Sequence, residues 1–319
     1  MDWAERIGRR IKLRDLHILL AIAQQGSIVR AAQSLAISQP VVSKVLADLE
    51  HNLGVRLLDR SRRGIEPTAY GRALIQRGMT VFDELRQGVK DIEFLADPTA
   101  GELRIAGPGT VIGGLIPAVI EHLCRQYPRL TFHVSQVTNV AQQFRELRER
   151  NIDLVIRRLP DSIADESDLE AETLFSDPPL IAAGVNSPWV RRRRIKLAEL
   201  IDEPWILPPL DTDVGPYLKA MFKNHGLHLP AAQVVCASME LNHALLSTGR
   251  YLAIYPRSML MFAGKRLAIK ILPVDLPQQS VPFGFIRLRA RTQSPVAKLF
   301  IDCARELSAP LMKRLRRIG

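Results

Sequence analysis

The chain has 319 residues, of which 47% are hydrophobic and 24% charged; this is room for about two folding units of roughly 150 residues, and it excludes long disorder and fibrous repeats. A formal charge of +11, from 44 Lys+Arg against 33 Asp+Glu, favours a polyanionic partner, although the excess is spread along the chain rather than gathered in a tail. The longest uncharged stretch, Ile105 to Ile120, is interrupted by six Gly and Pro residues and falls short of the ~20 residues of a membrane-spanning helix.

Met1 to Lys12 carries charge throughout, with no small-residue cleavage site after it, so no secretory signal is read and a cytoplasmic protein is expected. Leu13 to Gln25 places Leu16, Leu19, Leu20 and Ala23 at helical spacing, and Gly26 is a C-terminal stop. Ser27 is positioned to cap a short second helix in which Ile28, Ala31, Ala32 and Leu35 share a face. Ser38 stands at the N-cap of a third helix, with Pro40 in its first turn. Val42, Val45, Leu46 and Leu49 face inward there, which leaves Gln39, Pro40, Ser43, Lys44 and Ala47 outside. Two short helices joined by a tight turn make a helix-turn-helix.

Val55 to Thr68 reads as two short strands around Arg62-Arg63-Gly64, a basic β-wing. Thr68 to Ala96 is a long helix whose Phe82, Leu85, Val89 and Ile92 repeat at heptad-like spacing, a dimerisation seam. Turn-forming residues from Asp97 to Gly101 then mark a hinge. Strands at Leu103–Ala106, Thr131–Gln136 and Leu154–Ile156 alternate with helices, the βαβαβ order of a parallel sheet covered on both faces. Strand candidates at Leu180–Ala183, Trp205–Leu207, Val234–Cys236, Leu252–Ile254 and Phe283–Leu288, with helices between them, extend this to two α/β lobes. The expected division is a winged helix-turn-helix over 1–67, a linker and dimerisation helix over 68–97, and a two-lobed α/β domain over 98–319.

Gln39 and Ser43 lie one turn apart, so both can reach base edges when the helix enters a major groove. Lys44 sits nearer the phosphates, and Arg30, Arg60, Arg62 and Arg63 are placed to grip the flanking backbone, where cations release condensed counterions. Ser27 and Ser38, at the two helix starts, complete the candidate DNA-contacting set.

Residues 13–78, with SQPVVSK over Ser38–Lys44, resemble the winged helix-turn-helix of LysR-type transcriptional regulators. The resemblance implies DNA contact at Gln39, Pro40, Ser43 and Lys44, support of the backbone contacts by Arg30, Arg60 and Thr68, and dimerisation through the long helix. Val45, Ala47, Asp48 and Tyr70 depart from the usual pattern, which bears on the bases read. The later runs GELRIAGPGT, LIPAVIEHLCRQYPRL, NIDLVIRRLP, PWILPP and STGRYLAIYPRS resemble the family's effector-binding module, itself similar to periplasmic solute-binding proteins.

Within that module Gly109 and Thr110 follow the first strand and open a helix, a place for an anionic group. Thr138 and Asn139 end the second strand, while Pro209, Asp211 and Thr212 occupy the corresponding edge of the other lobe, so the two sets are expected to meet across a cleft. Arg158, at the end of its strand, offers a planar fork for a carboxylate. The basic run Arg191–Arg194 reads as solvated surface.

Cys124, Cys236 and Cys303 are far apart and are expected to pack as buried apolar residues, and no histidine has metal-ligand spacing. There is no P-loop, G-x-S-x-G, H-E-x-x-H or C-x-x-C motif. The expectation is therefore a DNA-binding regulator, not an enzyme, without cofactor or metal, acting as a homodimer or homotetramer on double-stranded DNA and answering to a small, anionic effector. A small-molecule receptor and an α/β enzyme with a DNA-binding head are the alternatives.

Overall fold

The structure is a computed structural model that describes residues 10–61, 64–212, 214–263, 268–276 and 281–315, with the backbone alone at 60, 61, 161, 263 and 310–315. The chain forms two compact units, Met1–Gly88 and Val89–Gly319.

The first unit begins with α1 (Leu13–Gln25), α2 (Ile28–Ser34) and α3 (Gln39–Leu53). Glycine ends α1 and α3, where Gly26 and Gly54 adopt φ of 60° and 72°. The Ser27 hydroxyl accepts the Arg30 amide to cap α2, whereas Ser38 holds the N-cap position of α3 without a side-chain bond. Ile18, Leu19, Ile22, Ala31, Val42 and Leu49 form the shared core, and Ala31, fully buried, lets the helices approach closely.

The chain leaves α3 under the control of Glu50, whose carboxylate accepts the Leu57 and Leu58 amides at 2.7 and 3.2 Å. It then forms the antiparallel hairpin of β1 (Leu58–Ser61) and β2 (Gly64–Pro67). Thr68 turns the hairpin into α4 (Ala69–Ala96), because its hydroxyl donates to the Arg56 carbonyl and accepts the Gly71 amide. Gly71 is required here, since a Cβ would lie 1.9 Å from the Leu57 carbonyl oxygen.

The second unit carries β3 (Ala100–Gly107), α5 (Gly109–Ile112), α6 (Leu115–Gln126), β4 (Arg129–Gln136), α7 (Val140–Arg148), β5 (Leu154–Arg158) and β6 (Leu169–Ser176). After these come β7 (Pro179–Gly184), β8 (Trp205–Leu207), α8 (Gly215–Lys223), β9 (Ala232–Val235), α9 (Met239–Ser247), β10 (Leu252–Pro256) and α10 (Arg257–Ala263). β11 (Ile269–Ile271), β12 (Pro282–Leu288) and α11 (Pro295–Leu315) complete it. The strands build two five-stranded sheets, ordered β4-β3-β5-β12-β6 and β11-β7-β10-β8-β9.

The expected parallel βαβαβ core is present in β3, β4 and β5, and antiparallel strands added to each sheet make both of them mixed. β3 pairs in parallel with β4 and β5, but β12 runs antiparallel to β5 and β6, and β7 antiparallel to β10 and β11. The cause is connectivity: the chain crosses from the first sheet to the second after β6 and returns into β12, and strands entered from the other lobe need no crossover helix to fix them parallel. Ala100 and Gly101, expected in a hinge, are already strand and pair with Arg129 and Leu130. β6 and β11 were not anticipated; β11 is three residues long, too short for a readable period.

Each lobe has its own core. Leu103, Ile105, Val119, Ile156, Phe285 and Phe300 fill the first, and Ile181, Leu200, Trp205, Phe222 and Leu252 the second. Cys303 packs in the first core, and burial pushes its thiol up to about 11.

Candidate DNA-reading helix and effector cleft

On α3, Gln39, Pro40 and Lys44 are exposed and Ser43 is half-buried, while Val42 and Leu49 are buried. Arg30 and Ser38 are exposed, and Ser27 is half-buried in its cap. The helix is thus anchored by its apolar side and presents a polar edge one turn long, the geometry that base readout requires. The Thr68 hydroxyl is committed twice within the protein, so its evident role is to fix where the wing ends. Arg62 and Arg63 lie outside the described residues, as does the side chain of Arg60.

Along α4 the seam residues differ. Leu85, Val89 and Ile92 are 51%, 54% and 68% exposed, joined by Leu95; Phe82 instead is half-buried and meets the His17 ring at a centroid distance of 5.5 Å.

In the second unit a cleft of about 130 Å³ is lined from both lobes. The first lobe supplies Gly109 and Thr110 at the start of α5, Thr138 after β4, and Arg157 and Arg158 at the end of β5; the second supplies Pro209 and Thr212. The two sequence-predicted sets are therefore brought together. Asn139 and Asp211 are not in the lining: the Asn139 side chain accepts the Gln142 amide at 2.9 Å and caps α7, and Asp211 is an exposed turn residue. Both positions obey local cap and turn chemistry.

Arg157, buried at 2% exposure, donates to the Gln143 carbonyl and to the Arg158 carbonyl oxygen. Arg158 instead reaches the cleft, its guanidinium lying 5.2 Å from the centre of the Tyr217 ring on the opposite lobe. Asp177, at the crossover between lobes, accepts the Ser258 amide and hydroxyl. Burial pushes this carboxyl above its ordinary range, against the opposing pull of Ser258, Arg158 and Arg257.

Sequence reasoning missed Tyr217, Met239, Asn242, Tyr255 and Phe283 in the lining, because no local motif marks them. Cys236, expected as buried packing, is half-buried in the cleft wall.

Comparison with known proteins decides the family. Residues 13–72 match the model described as a bacterial regulatory helix-turn-helix protein of the lysR family, and residues 96–309 match the LysR substrate binding domain. The chain belongs to the LysR family. Among its relatives, the HTH-type transcriptional regulator GbpR of Azospirillum brasilense is 30% identical, covering 96% of this chain and 89% of that one. PcaQ of Agrobacterium fabrum is 26% identical over 96% and 97% of the two chains. Full-length CbnR complexed with its target DNA aligns at a TM-score of 0.53 and 25% identity, covering 93% and 99%.

The relatives of this LysR protein are transcriptional regulators rather than enzymes. It is itself a transcriptional regulator with a DNA-binding helix-turn-helix and an effector-binding domain. LysR regulators bind DNA and small-molecule effectors. Among the described residues no helix is long and apolar enough to cross a membrane.

Proposed function

We propose that this cytoplasmic regulator reads operator DNA through α3 and binds a small anionic metabolite in the cleft between its lobes, with residues 1–67, 68–97 and 98–319 as head, linker and effector domain. Gln39, Pro40 and Ser43 meet base edges. Ser27, Arg30, Ser38, Lys44, Arg60, Arg62, Arg63 and Thr68 hold or position the flanking backbone. Leu85, Val89 and Ile92, with Phe82 at the inner edge of the seam, join copies into a homodimer or homotetramer. Gly109, Thr110, Thr138 and Arg158 receive the effector's anionic group, opposite Pro209 and Thr212.

The observation that carries the ligand reading is the convergence of Thr110, Thr138 and Arg158 on a cleft whose opposite wall comes from the second lobe. A ligand held by both walls prefers one lobe arrangement and so biases the regulator between states.

Two measurements test these assignments. In gel shifts on promoter fragments, Gln39→Ala is expected to relax base choice at one position by about 1–3 kcal/mol. Lys44→Ala is expected to weaken all sequences alike and lower the log–log salt slope by about one. Equal, salt-independent losses from both would remove the assignment of roles. In thermal-shift titrations against a panel of small carboxylic acids, Arg158→Ala is expected to weaken a stabilising acid roughly 10- to 100-fold, the scale of a charge-assisted hydrogen bond. Stabilisation that persists undiminished in Arg158→Ala/Thr110→Val would place the ligand elsewhere.

A further inference from the structure

The second-lobe wall of the cleft holds polar atoms that the protein's own hydrogen bonding leaves out. Tyr255, on β10, is 1% exposed, and its hydroxyl completes no hydrogen bond. Asn242, on α9, has a buried Oδ1 that also completes none. The two are near neighbours, since Asn242 partly offsets the rise that burial imposes on the phenol, yet they do not close a bond of normal geometry. Both residues line the cleft.

Buried polar groups are almost always satisfied, and an orphan in a pocket wall points to a missing partner. A phenol O–H donates and an amide oxygen accepts, so the group that satisfies both is a hydroxyl, which accepts from Tyr255 and donates to Asn242. An ionised carboxylate fits poorly because it has nothing to donate. Among the described lining residues the cations, Arg157 and Arg158, both stand on β5 of the first lobe, so a second negative charge at the Tyr255 wall would find no fixed counter-charge among those residues.

Between these ends the cleft is apolar, with Ile206, Leu218, Met239 and Phe283 among its walls. Its volume of about 130 Å³ is on the scale of the ~150 Å³ cavity that accepts a benzene ring. From this arrangement we infer that the effector is a hydroxylated monocarboxylic acid of about single-ring size, its carboxylate toward Thr110 and Arg158 and its hydroxyl between Tyr255 and Asn242. The inference rests on the reading of the cleft as the effector site.

Calorimetric titration of the full chain with benzoate, the ortho, meta and para hydroxybenzoates, and terephthalate tests it. At least one hydroxybenzoate is expected to bind about tenfold more tightly than benzoate, the scale of one net hydrogen bond, with terephthalate no tighter than benzoate. Tyr255→Phe is expected to erase the hydroxybenzoate advantage over benzoate measured in the same variant, and not to lower the melting temperature of the ligand-free protein, since it removes an orphan hydroxyl. The inference is overturned if the hydroxyl brings no advantage, if the advantage survives Tyr255→Phe, if terephthalate binds most tightly, or if none of these acids binds. The cleft reading fails separately, when benzoate binding withstands Arg158→Ala/Thr110→Val.

Discussion

The double substitution Leu85→Asp/Val89→Asp is expected to separate the proposed oligomer into single chains and to weaken operator binding roughly 100-fold or more. Leu85, Val89, Ile92 and Leu95 are each more than half exposed on one helix, and their spacing of three and four residues puts them on one stripe. An apolar stripe of this kind in water is stabilised by an identical stripe from a second copy, which closes the interface by two-fold symmetry. Aspartates set into that seam would face each other across it and resist desolvation.

A single recognition helix keeps its own contacts after the copies separate, but it loses the effective concentration that the second head supplied. Light scattering and gel shifts on the same preparations check both effects. A double variant whose mass and operator affinity match the parent would show that the copies are joined elsewhere.

Trp205→Ala is expected to destabilise the second unit by about 3–5 kcal/mol, the range for truncating a fully buried aromatic side chain. Trp205 has no exposed surface, meets the Phe222 ring edge-on at 5.8 Å, and donates its indole N–H to the Leu200 carbonyl at 2.7 Å. Truncation therefore opens a cavity in the second-lobe core and also strands a buried carbonyl. Ile206, the next residue on β8, is a cleft wall, so the loosening reaches the ligand.

Trp205→Phe keeps most of the ring volume while losing the N–H, and about half of the loss should return. Urea denaturation with the two variants side by side measures this. A Trp205→Ala cost below about 1 kcal/mol would mean that the core collapses around the gap.

The three helices and wing of the head were legible because their signals are local. Gly26 and Ser27 sit one after the other at a helix boundary, Ser38 and Pro40 announce the next helix, and Val42 and Leu49 repeat at helical period. Each is settled within a few residues by dihedral preference, capping and amphipathic spacing. What stayed hidden even there was long-range: that Gly71 must be glycine follows only from the Leu57 carbonyl against which it packs.

In the effector domain the strand-to-helix corners were readable, and Gly109, Thr110, Thr138 and Arg158 do come together. Asn139 and Asp211 did not join them, because capping and turn formation draw on the same residue types as ligand contact and leave the same mark in the chain. The parallel pairing of β3, β4 and β5 was legible from the helices between them, whereas nothing local announces that β12 arrives from the other lobe and runs antiparallel to β5.

Capping, periodicity and turn residues were enough to mark a helix-turn-helix, a wing and two α/β lobes, and the family resemblance of the SQPVVSK run and of the later runs implied their DNA-binding and ligand-binding roles, since those signals reside in neighbouring residues. Only the tertiary structure decided that Tyr255 and Asn242 share a wall of the cleft that Arg158 faces. Loop closure across many tens of residues depends on the summed packing of both sheets rather than on any spacing along the chain.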